Sequence, residues 1–326
     1  MKPIEVTLLT MRKDKKLLLA QKKHGFGAGF YNGVGGKLEP SETPEQAMLR
    51  ETKEEISIIP TVYRKVGVID YDEFVKGNRE NVRLHLYLAT DWNGEPAESD
   101  EMCPKWFPES NPPYDQMFPD DRYWLPLVLA GKHIKAFFHF DPDWNLISHS
   151  IKEISVRGLK IEDTEAIRKF HRKSWRDTYP NEEAGVSRKW VDQTTDEWLT
   201  PENLKRSREI YQSVLDNPEN EYYRLVEVDG EIQGFMHGAR RGEDRLQHLS
   251  AIYIDKSLQG TGIAQQLIDE LFGFLDLNKD IWLEVANYNE RAKAFYRRNG
   301  FEVVEGSEFL FKDMLPCVKM VRKGEK

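Results

Sequence analysis

Three glutamates fall at helical spacing within the segment RETKEE, and their type and spacing suit metal chemistry. Glu51, Glu54 and Glu55 are three and four residues apart, so on a helix they project from one face. Carboxylates on one face repel each other unless a cation lies among them, and oxygen ligands suit Mg²⁺ or Mn²⁺. Arg50 can hold one carboxylate from the side. Taken alone, the segment fits a solvated acidic helix face better.

The residues around the glutamates favour the metal interpretation. Gly36 and Glu42 precede them within the stretch GKLEPSETPEQAMLRETKEEISI, residues 36–58. This stretch resembles the Nudix box, in which a glycine, a glutamate, an Arg-Glu pair and a Glu-Glu pair recur at fixed spacing. Thr52 stands where that family has an aliphatic residue, and Ser57 stands where it has glycine. The charged positions are intact, so the departures concern helix packing and the helix end.

The resemblance to the Nudix family covers residues 3–155 and points to one group within that family. The segments KKHGFGAGFYNGVGGK, ESDEM and MFPDDRYWLPLVL are similar, in the same order, to animal-type MutT homologues. Those enzymes hydrolyse oxidised purine nucleoside triphosphates, such as 8-oxo-dGTP and 2-oxo-dATP, to a monophosphate and pyrophosphate. Bound Mg²⁺ neutralises the phosphate chain and lowers the pKa of a water molecule. The metal ligands that the resemblance implies are the carbonyl of Gly36 and the carboxylates of Glu51, Glu54, Glu55 and Glu101.

The same resemblance implies a purine-recognition set. Asn32 offers both a donor and an acceptor to a purine edge, while Phe118 and Trp124 can stack on it. Asp120 and Asp121 cannot both ionise cheaply in a closed pocket, so one is expected to stay protonated and donate. The alternative is that the Pro-Asp-Asp sequence merely begins a helix. Phe118 replaces the tryptophan of the family, which leaves the base preference open. Further implied substrate contacts are Thr7, Lys22, Phe26 and Met102.

A glycine-rich loop in the second half, QGTGIA at residues 259–264, joins a predicted strand to an amphipathic helix. Glycines let backbone amides converge on an anion at a helix N-terminus. Together with NERAKAFYRRNGF at 289–301, the loop resembles the two motifs of GNAT acetyltransferases, the first of which binds the pyrophosphate of acetyl-coenzyme A. The segment at 159–180 is similar to that family's opening strand and helix. The resemblance covers about residues 156–322, with Ala264 as a variant of the motif's last glycine.

The resemblance to GNAT enzymes also implies residue roles. Backbone groups near Ile252 and Ile254 would pair with the pantetheine arm of the cofactor, where the strand splays from its neighbour. Tyr296 would protonate the leaving thiolate; alternatively, it is a core aromatic beside Phe295. The full cofactor-binding set is Ile252, Ile254, Gln259, Gly260, Thr261, Gly262, Ile263, Ala264, Asn289 and Tyr296.

Several functional questions stay open at this stage. His248 and Glu284 are candidate general bases, although each is equally a strand residue with a structural partner. The first half can alternatively cleave another nucleoside diphosphate derivative, which Asn32 and the Asp120–Asp121 pair argue against. The second half can alternatively bind acyl-coenzyme A without catalysis, which nothing in the sequence excludes. The acetyl acceptor is unknown.

These residues require a scaffold of two fused α/β (α+β) domains, expected at 1–155 and 156–326. The first is expected to be an α/β/α sandwich with a mixed sheet, and the second a mixed α/β sheet. Thr43, Pro44 and Gln46 predict a helix with a capping box. In the second domain, a helical segment precedes strands, a helix over 263–277, and a last helix that ends at Asn299-Gly300.

Composition limits the classes of partner and compartment. The 326-residue chain has a net charge of −8 and no evident basic face, so a small ligand is expected rather than a nucleic-acid polymer. Two distant cysteines, Cys103 and Cys317, suit a reducing compartment. No apolar run approaches about 18 residues, which argues against a membrane span. The N-terminus lacks the apolar core of a signal peptide, so a cytoplasmic protein is expected.

Overall fold

The computed structural model describes residues 3–75, 77–242 and 246–325, which separate into two compact units. The first unit is Met1–Ser155 with Leu258–Ile263, and the second is Val156–Ser257 with Ala264–Lys326. In each unit helices pack on a mixed sheet, which confirms the predicted fold class. Within the described ranges, the helices are too short or too polar to cross a membrane.

The first unit is built on a mixed sheet with a helix on each face. The strands run in the order β8-β7-β4-β5-β1-β2, with β3 and β6 both paired to β2. β1 is parallel to β5 and β4 to β7, while the other pairs are antiparallel. The elements are β1 (Ile4–Lys13), β2 (Lys16–Lys22), β3 (Tyr31–Asn32), α1 (Pro44–Ile56), β4 (Ile59–Val75), β5 (Asn78–Asn93), β6 (Met102–Pro108), α2 (Asp121–Leu129), β7 (His133–Phe140) and β8 (Leu146–Gly158).

Strand β2 shows why the centre of this sheet is apolar on both sides. Leu17 and Leu19 pack in the cluster that contains the α2 residues, and Leu18 and Ala20 pack in the cluster that contains the α1 residues. A strand covered on both faces has a continuous apolar run rather than an alternating pattern. The result is the α/β/α sandwich that the sequence predicted.

Helix α1 carries the three glutamates and is fixed at both ends. The Thr43 hydroxyl accepts the N–H of Gln46 at 3.2 Å, and the Gln46 side chain accepts the N–H of Thr43 at 2.9 Å, which is the predicted capping box. The helix ends where Ser57 adopts a left-handed φ of 63°. Thr52 is fully buried, and its hydroxyl donates to the carbonyl four residues earlier at 2.7 Å. Both departures from the Nudix pattern are therefore accommodated locally.

The second unit contains a sheet in the order β9-β10-β11-β12-β15-β13, with β14 also paired to β15. β11 and β12 are parallel, and the other pairs are antiparallel. The elements are α3 (Thr164–Thr178), α4 (Arg188–Asp196), α5 (Pro201–Leu215), β9 (Glu221–Val228), β10 (Glu231–Arg241), β11 (Leu246–Ile254), α6 (Ile263–Phe274), β12 (Ile281–Ala286), α7 (Glu290–Arg298), β13 (Glu302–Val303), β14 (Phe309–Phe311) and β15 (Leu315–Arg322).

Two details of this unit differ from the sequence interpretation. The prediction of a strand at the start of the segment 159–180 is wrong. β8 ends at Gly158, and Ile161–Asp163 form a 3₁₀ turn. The Asp163 carboxylate accepts the N–H of Lys160 at 3.0 Å, and this side-chain bond favours a turn over an extended strand. Helix α6 ends at Phe274, three residues earlier than predicted.

Strands β11 and β12 are joined only where they begin. Their parallel ladder contains the pairs Gln247–Ile281 and His248–Trp282 and ends there in the described part of the chain. β12 instead keeps its full ladder with β15, while β11 keeps its ladder with β10. A wedge therefore opens toward the carboxyl ends of the two strands, and one edge of the β11 backbone faces it.

The capping box yields a stability prediction. We expect Thr43→Ala to lower the free energy of unfolding by about 1 kcal/mol, because it leaves the N–H of Gln46 without its acceptor. Thr43→Ser is the matched control, since it keeps the oxygen and should remain within about 0.5 kcal/mol of the parent. Equilibrium urea unfolding of the full chain measures both. Equal stability of the alanine and serine variants would contradict the assigned cap.

Candidate functional site

The guanidinium of Arg50 organises the acidic face of α1. Its Nε and Nη2 donate to the Glu42 carboxylate at 2.8 and 2.9 Å. Its Nη1 donates to Glu51 at 2.9 Å and to Glu54 at 3.2 Å. These bonds lower the pKa of Glu42 and raise that of Arg50. Two of the predicted metal ligands are thus held by one cation of the protein.

Glu55 is the buried member of the set. It is 5% exposed, and its Oε2 accepts the N–H of Gly35 at 3.0 Å. The pKa of Glu55 is raised to about 7, chiefly by burial and also by the charges of Glu51 and Glu101, while the N–H of Gly35 and the charge of Lys22 act in the lowering direction. The three carboxylates and Lys22 therefore lie within electrostatic range of one another, with negative charge in excess.

Gly36 allows the closest approach in this cluster. A Cβ atom at this position would lie 2.3 Å from Oε1 of Glu51, so a side chain there would displace the carboxylate. The carbonyl of Gly36 accepts the N–H of Thr7 at 2.8 Å in the sheet and the hydroxyl of Thr7 at 3.5 Å. Thr7 lies on β1, beside this carbonyl, and is buried.

This donor set fits a divalent cation by its chemistry, since it is oxygen-only, rich in negative charge and partly buried. The carboxylates are not gathered closely: across residues 3–75, 77–242 and 246–325, no three His, Cys, Asp or Glu side chains are placed to hold an ion. Arg50 accounts for this, because it draws Glu51 and Glu54 to its own nitrogen atoms. Glu101 is exposed immediately before β6, whose first residue, Met102, pairs with Lys22 of β2.

The predicted base-recognition carboxyls are both buried and have different partners. Asp120 and Asp121 are each 2% exposed. Oδ2 of Asp120 accepts the hydroxyl of Tyr71 at 2.8 Å and the indole N–H of Trp124 at 3.1 Å. Oδ2 of Asp121 accepts the N–H of Phe118 at 3.1 Å. Asp120 precedes α2, but its carboxylate accepts no backbone N–H of the helix as a cap, so capping does not explain it.

Burial raises the pKa of both aspartates, and the charge of Asp120 raises that of Asp121 further. The two donors on Asp120 favour its charged form, whereas Asp121 has one backbone donor. The direction agrees with the expectation that one carboxyl of the pair keeps its proton. Asn32 lies on β3, and its side-chain oxygen accepts the N–H of Gly33 at 2.8 Å, so its amide nitrogen is the group it can present.

An aromatic wall adjoins the two aspartates. Phe118 stacks on Phe26 with ring centroids 5.8 Å apart, and Trp144 lies 5.5 and 4.7 Å from these two rings. The indole N–H of Trp144 donates to the carbonyl of Phe74 at 3.1 Å. A Cβ atom at Gly27 would lie 2.5 Å from the Phe118 ring, so the loop needs glycine there. Trp144 was not predicted, and its only signal is an aromatic residue in the turn after β7.

Two further residues of this region were missed on β4. Tyr71 and Glu73 alternate with Asp70 and Asp72, which form ion pairs with arginines on the other face of the strand. Glu73 is 7% exposed, and burial together with the charge of Asp120 raises its pKa to about 7. Alternation along β4 was the available signal, but the sequence did not show which face is buried.

The loop at 259–264 has the backbone that its glycines allow. Gly260 and Gly262 have φ values of 82° and 90°. Thr261 between them is buried, and its hydroxyl donates to the carbonyl of Leu258 at 2.7 Å. A Cβ atom at Gly260 would meet no atom within 4 Å, so its requirement is conformational. Gln259 is exposed, and α6 begins at Ile263, followed by the half-buried Ala264.

The predicted pantetheine positions lie beside the wedge. Ile252 and Ile254 pair with β10 and lie beyond the last residue pair between β11 and β12. At these two positions the edge of β11 that does not pair with β10 faces the wedge. Asn289 has a structural role, because its side-chain oxygen accepts the N–H of Ala292 at 3.1 Å and caps α7.

Tyr296 is 8% exposed and packs edge-on to Phe295 and Phe301, with centroids 5.7 and 6.0 Å away. Burial raises the pKa of Tyr296, and the nearby Tyr253 also raises it, so the phenol keeps its proton near pH 7 and has a proton to donate. The Tyr253 hydroxyl, which the sequence interpretation missed, accepts the indole N–H of Trp175 at 3.1 Å.

A hollow of about 290 Å³ lies where β11 and β12 part. Burial lowers the pKa of His248, so its ring is neutral near pH 7, and the carboxylate of Glu284 acts against that shift. The structure thus brings together the two candidate bases. The residues that line the hollow are Leu246, His248, Trp282, Leu283, Glu284 and Lys319.

Comparison with known proteins identifies a related domain in each half of the chain. The NUDIX domain model matches residues 1–128, and the acetyltransferase (GNAT) family model matches residues 185–301. The oxidized purine nucleoside triphosphate hydrolase of Danio rerio is 40% identical over 149 residues, which are 46% of this chain and 94% of that protein. Its counterpart from Mus musculus is 39% identical over 148 residues, 45% of this chain and 94% of that protein.

Among solved structures, the PaiA N-acetyltransferase from Thermoplasma acidophilum in complex with coenzyme A has 24% sequence identity and a TM-score of 0.37, covering 52% of this chain and 98% of its own. The NUDIX model and the two hydrolase relatives identify the family of the first half, and the GNAT model identifies the family of the second half. The chain belongs to the Nudix hydrolase family and carries an acetyltransferase domain of the GNAT family after its Nudix domain.

Proposed function

We propose that residues 1–155 form a Mg²⁺-dependent hydrolase that cleaves oxidised purine nucleoside triphosphates to a monophosphate and pyrophosphate. The observation that carries this proposal is the buried Asp120–Asp121 pair, held by Tyr71 and Trp124 beside an aromatic wall. Buried carboxyls of opposite protonation suit a purine edge that presents both donors and acceptors. The name of the Danio rerio relative supports this substrate class over other nucleoside diphosphate derivatives.

The acidic face of α1 would hold the metal. Bound Mg²⁺ supplies neutralisation of the phosphate chain and a water molecule of lowered pKa. Arg50 holds Glu51 and Glu54 in position through its guanidinium, and the N–H of Gly35 fixes Oε2 of Glu55. The second oxygen of Glu55 is then available to take a proton from the attacking water. The complete ligand set proposed is the Gly36 carbonyl with Glu51, Glu54, Glu55 and Glu101.

Base recognition follows from the different environments of the two aspartates. Asp120 keeps its charge because two donors bind Oδ2, so it accepts an N–H of the base. Asp121 keeps its proton and donates to a base oxygen or nitrogen. Exchange of that proton between the two carboxyls would let the pocket accept both 8-oxoguanine and 2-oxoadenine. Phe118 and Phe26 stack on the base, and Asn32 contacts its edge.

We propose that residues 156–326 use acetyl-coenzyme A. The observation that supports this is the wedge between β11 and β12, with the backbone at Ile252 and Ile254 on its edge. The loop at 259–264 would bind the pyrophosphate, and Tyr296 would protonate the leaving thiolate. The hollow beside His248 and Glu284 would receive an acetyl acceptor. Acyl-coenzyme A binding without catalysis is the second candidate, favoured by the close aromatic packing of Tyr296.

The metal assignment is tested by Glu55→Gln. We expect it to lower kcat with Mg²⁺ by about two decades or more while leaving the fold intact, because the amide cannot take a proton. Glu45→Gln is the control, since this exposed glutamate lies on the same helix away from the cluster. Pyrophosphate release from 8-oxo-dGTP is the measurement. Turnover of the Glu55 variant close to that of the control would refute the site.

The base assignment is tested by Asp120→Asn. We expect a loss of about one to two decades in kcat/KM for 8-oxo-dGTP, because a neutral amide replaces the charged acceptor of an N–H of the base. The loss with dCTP should be much smaller. Asp115→Asn is the control, because Asp115 is fully exposed just before the same segment. An equal loss for both nucleotides would mean that Asp120 supports the fold rather than the base.

The cofactor assignment is tested by calorimetry with acetyl-coenzyme A on the full chain. We expect Gly260→Val to weaken binding about tenfold or more, because a branched residue resists a φ of 82°. Gly230→Val is the matched control, since Gly230 has the same φ and equally open surroundings in the turn before β10. Tyr296→Phe should keep the affinity and slow any acetyl transfer. Absence of binding by the parent at millimolar cofactor would remove the assignment.

A further inference from the structure

Glu73 is a buried carboxyl that the proposed mechanism does not use. It is 7% exposed on β4. Its neighbours Asp70 and Asp72 lie on the other face and bind Arg83 and Arg79, each through two bonds of 2.6–3.1 Å. Among the described residues, none of the hydrogen bonds or ion pairs reaches the Glu73 carboxyl. A carboxyl that is nearly buried and has no protein donor is available to a ligand that supplies one.

The position of Glu73 places it at the base pocket. It is two residues after Tyr71, so both side chains leave the same face of β4. The hydroxyl of Tyr71 donates to Asp120, and the charge of Asp120 acts directly on Glu73. The residue after Glu73, Phe74, accepts the indole N–H of Trp144, which belongs to the aromatic wall. Glu73 is therefore adjacent to both the carboxyl pair and the stacking rings.

We propose that Glu73 is a third carboxyl of the base pocket and that, together with Asp120, it binds the exocyclic amino group of the base. This inference rests on the proposed purine specificity and extends it to one substituent. An amino group has two N–H bonds and can donate to two neighbouring carboxylates at once, whereas a ring N–H has only one. The two carboxylates repel each other until a donor lies between them.

The consequence is selectivity for amino-bearing oxidised purines. A base without the amino group leaves two acidic groups facing each other with no donor between them. A site built to bind a polar substituent rejects an analogue that lacks it far more strongly than an apolar pocket does. We therefore expect the hydrolase to prefer 8-oxoguanine over 8-oxohypoxanthine, which differs only by the 2-amino group.

The test is calorimetric binding of 8-oxo-dGMP and 8-oxo-dIMP to the full chain without metal. The parent should bind the amino-bearing nucleotide about 10–100 times more tightly. Glu73→Gln, which is nearly isosteric, should lose most of that preference through weaker binding of 8-oxo-dGMP. Asp72→Asn is the matched control, because it removes a carboxylate from the adjacent position on the opposite face, and it should keep the preference.

Three results would overturn the inference: equal binding of the two nucleotides by the parent, an unchanged preference in Glu73→Gln, or no binding of 8-oxo-dGMP. The first of these needs no variant, so it decides the matter even if Glu73→Gln does not fold. Failure of the proposed function is seen separately, as absent pyrophosphate release from 8-oxo-dGTP and Mg²⁺ by the same protein.

Discussion

Excess negative charge in a partly buried region is the constraint on which the first unit depends. Glu51, Glu55 and Glu101 act on one another, and Lys22 offsets only part of their charge. Arg50 compensates the exposed side of the cluster, while Glu55 is left with one backbone donor. Carboxylates in such surroundings either take up protons or bind a cation. This excess charge is what would favour a divalent cation in the proposed site, and the cation would in turn attract the phosphate chain.

The sheet separates two acidic regions that have different tasks. Helix α1 presents its carboxylates at one face, where burial is incomplete and a hydrated cation can enter. Asp120 and Asp121 are buried against α2 and β4, where Tyr71 and Trp124 donate to Asp120 and the N–H of Phe118 donates to Asp121. Strands with apolar side chains on both faces lie between the two regions.

The acidic helix α1 could be predicted because its determinants are local. The capping box and the three- and four-residue spacing define the helix and its acidic face from the sequence alone. The Asp120–Asp121 pair required the family resemblance, since Pro-Asp-Asp is also an ordinary helix start. Glu73 and Trp144 were missed because burial of a strand residue depends on register and on distant packing. The strand expected after Gly158 failed because Asp163 stabilises a turn there.

In the second unit, the wedge between β11 and β12 leaves backbone groups of β11 available to a ligand. The central proposal is that the first unit hydrolyses oxidised purine nucleoside triphosphates to a monophosphate and pyrophosphate. Phosphorus NMR of 8-oxo-dGTP incubated with the full chain and Mg²⁺ tests this proposal most directly. We expect the monophosphate and pyrophosphate to appear together and in equal amounts. Formation of the diphosphate and orthophosphate, or no turnover while other nucleoside diphosphate derivatives are cleaved, would contradict it.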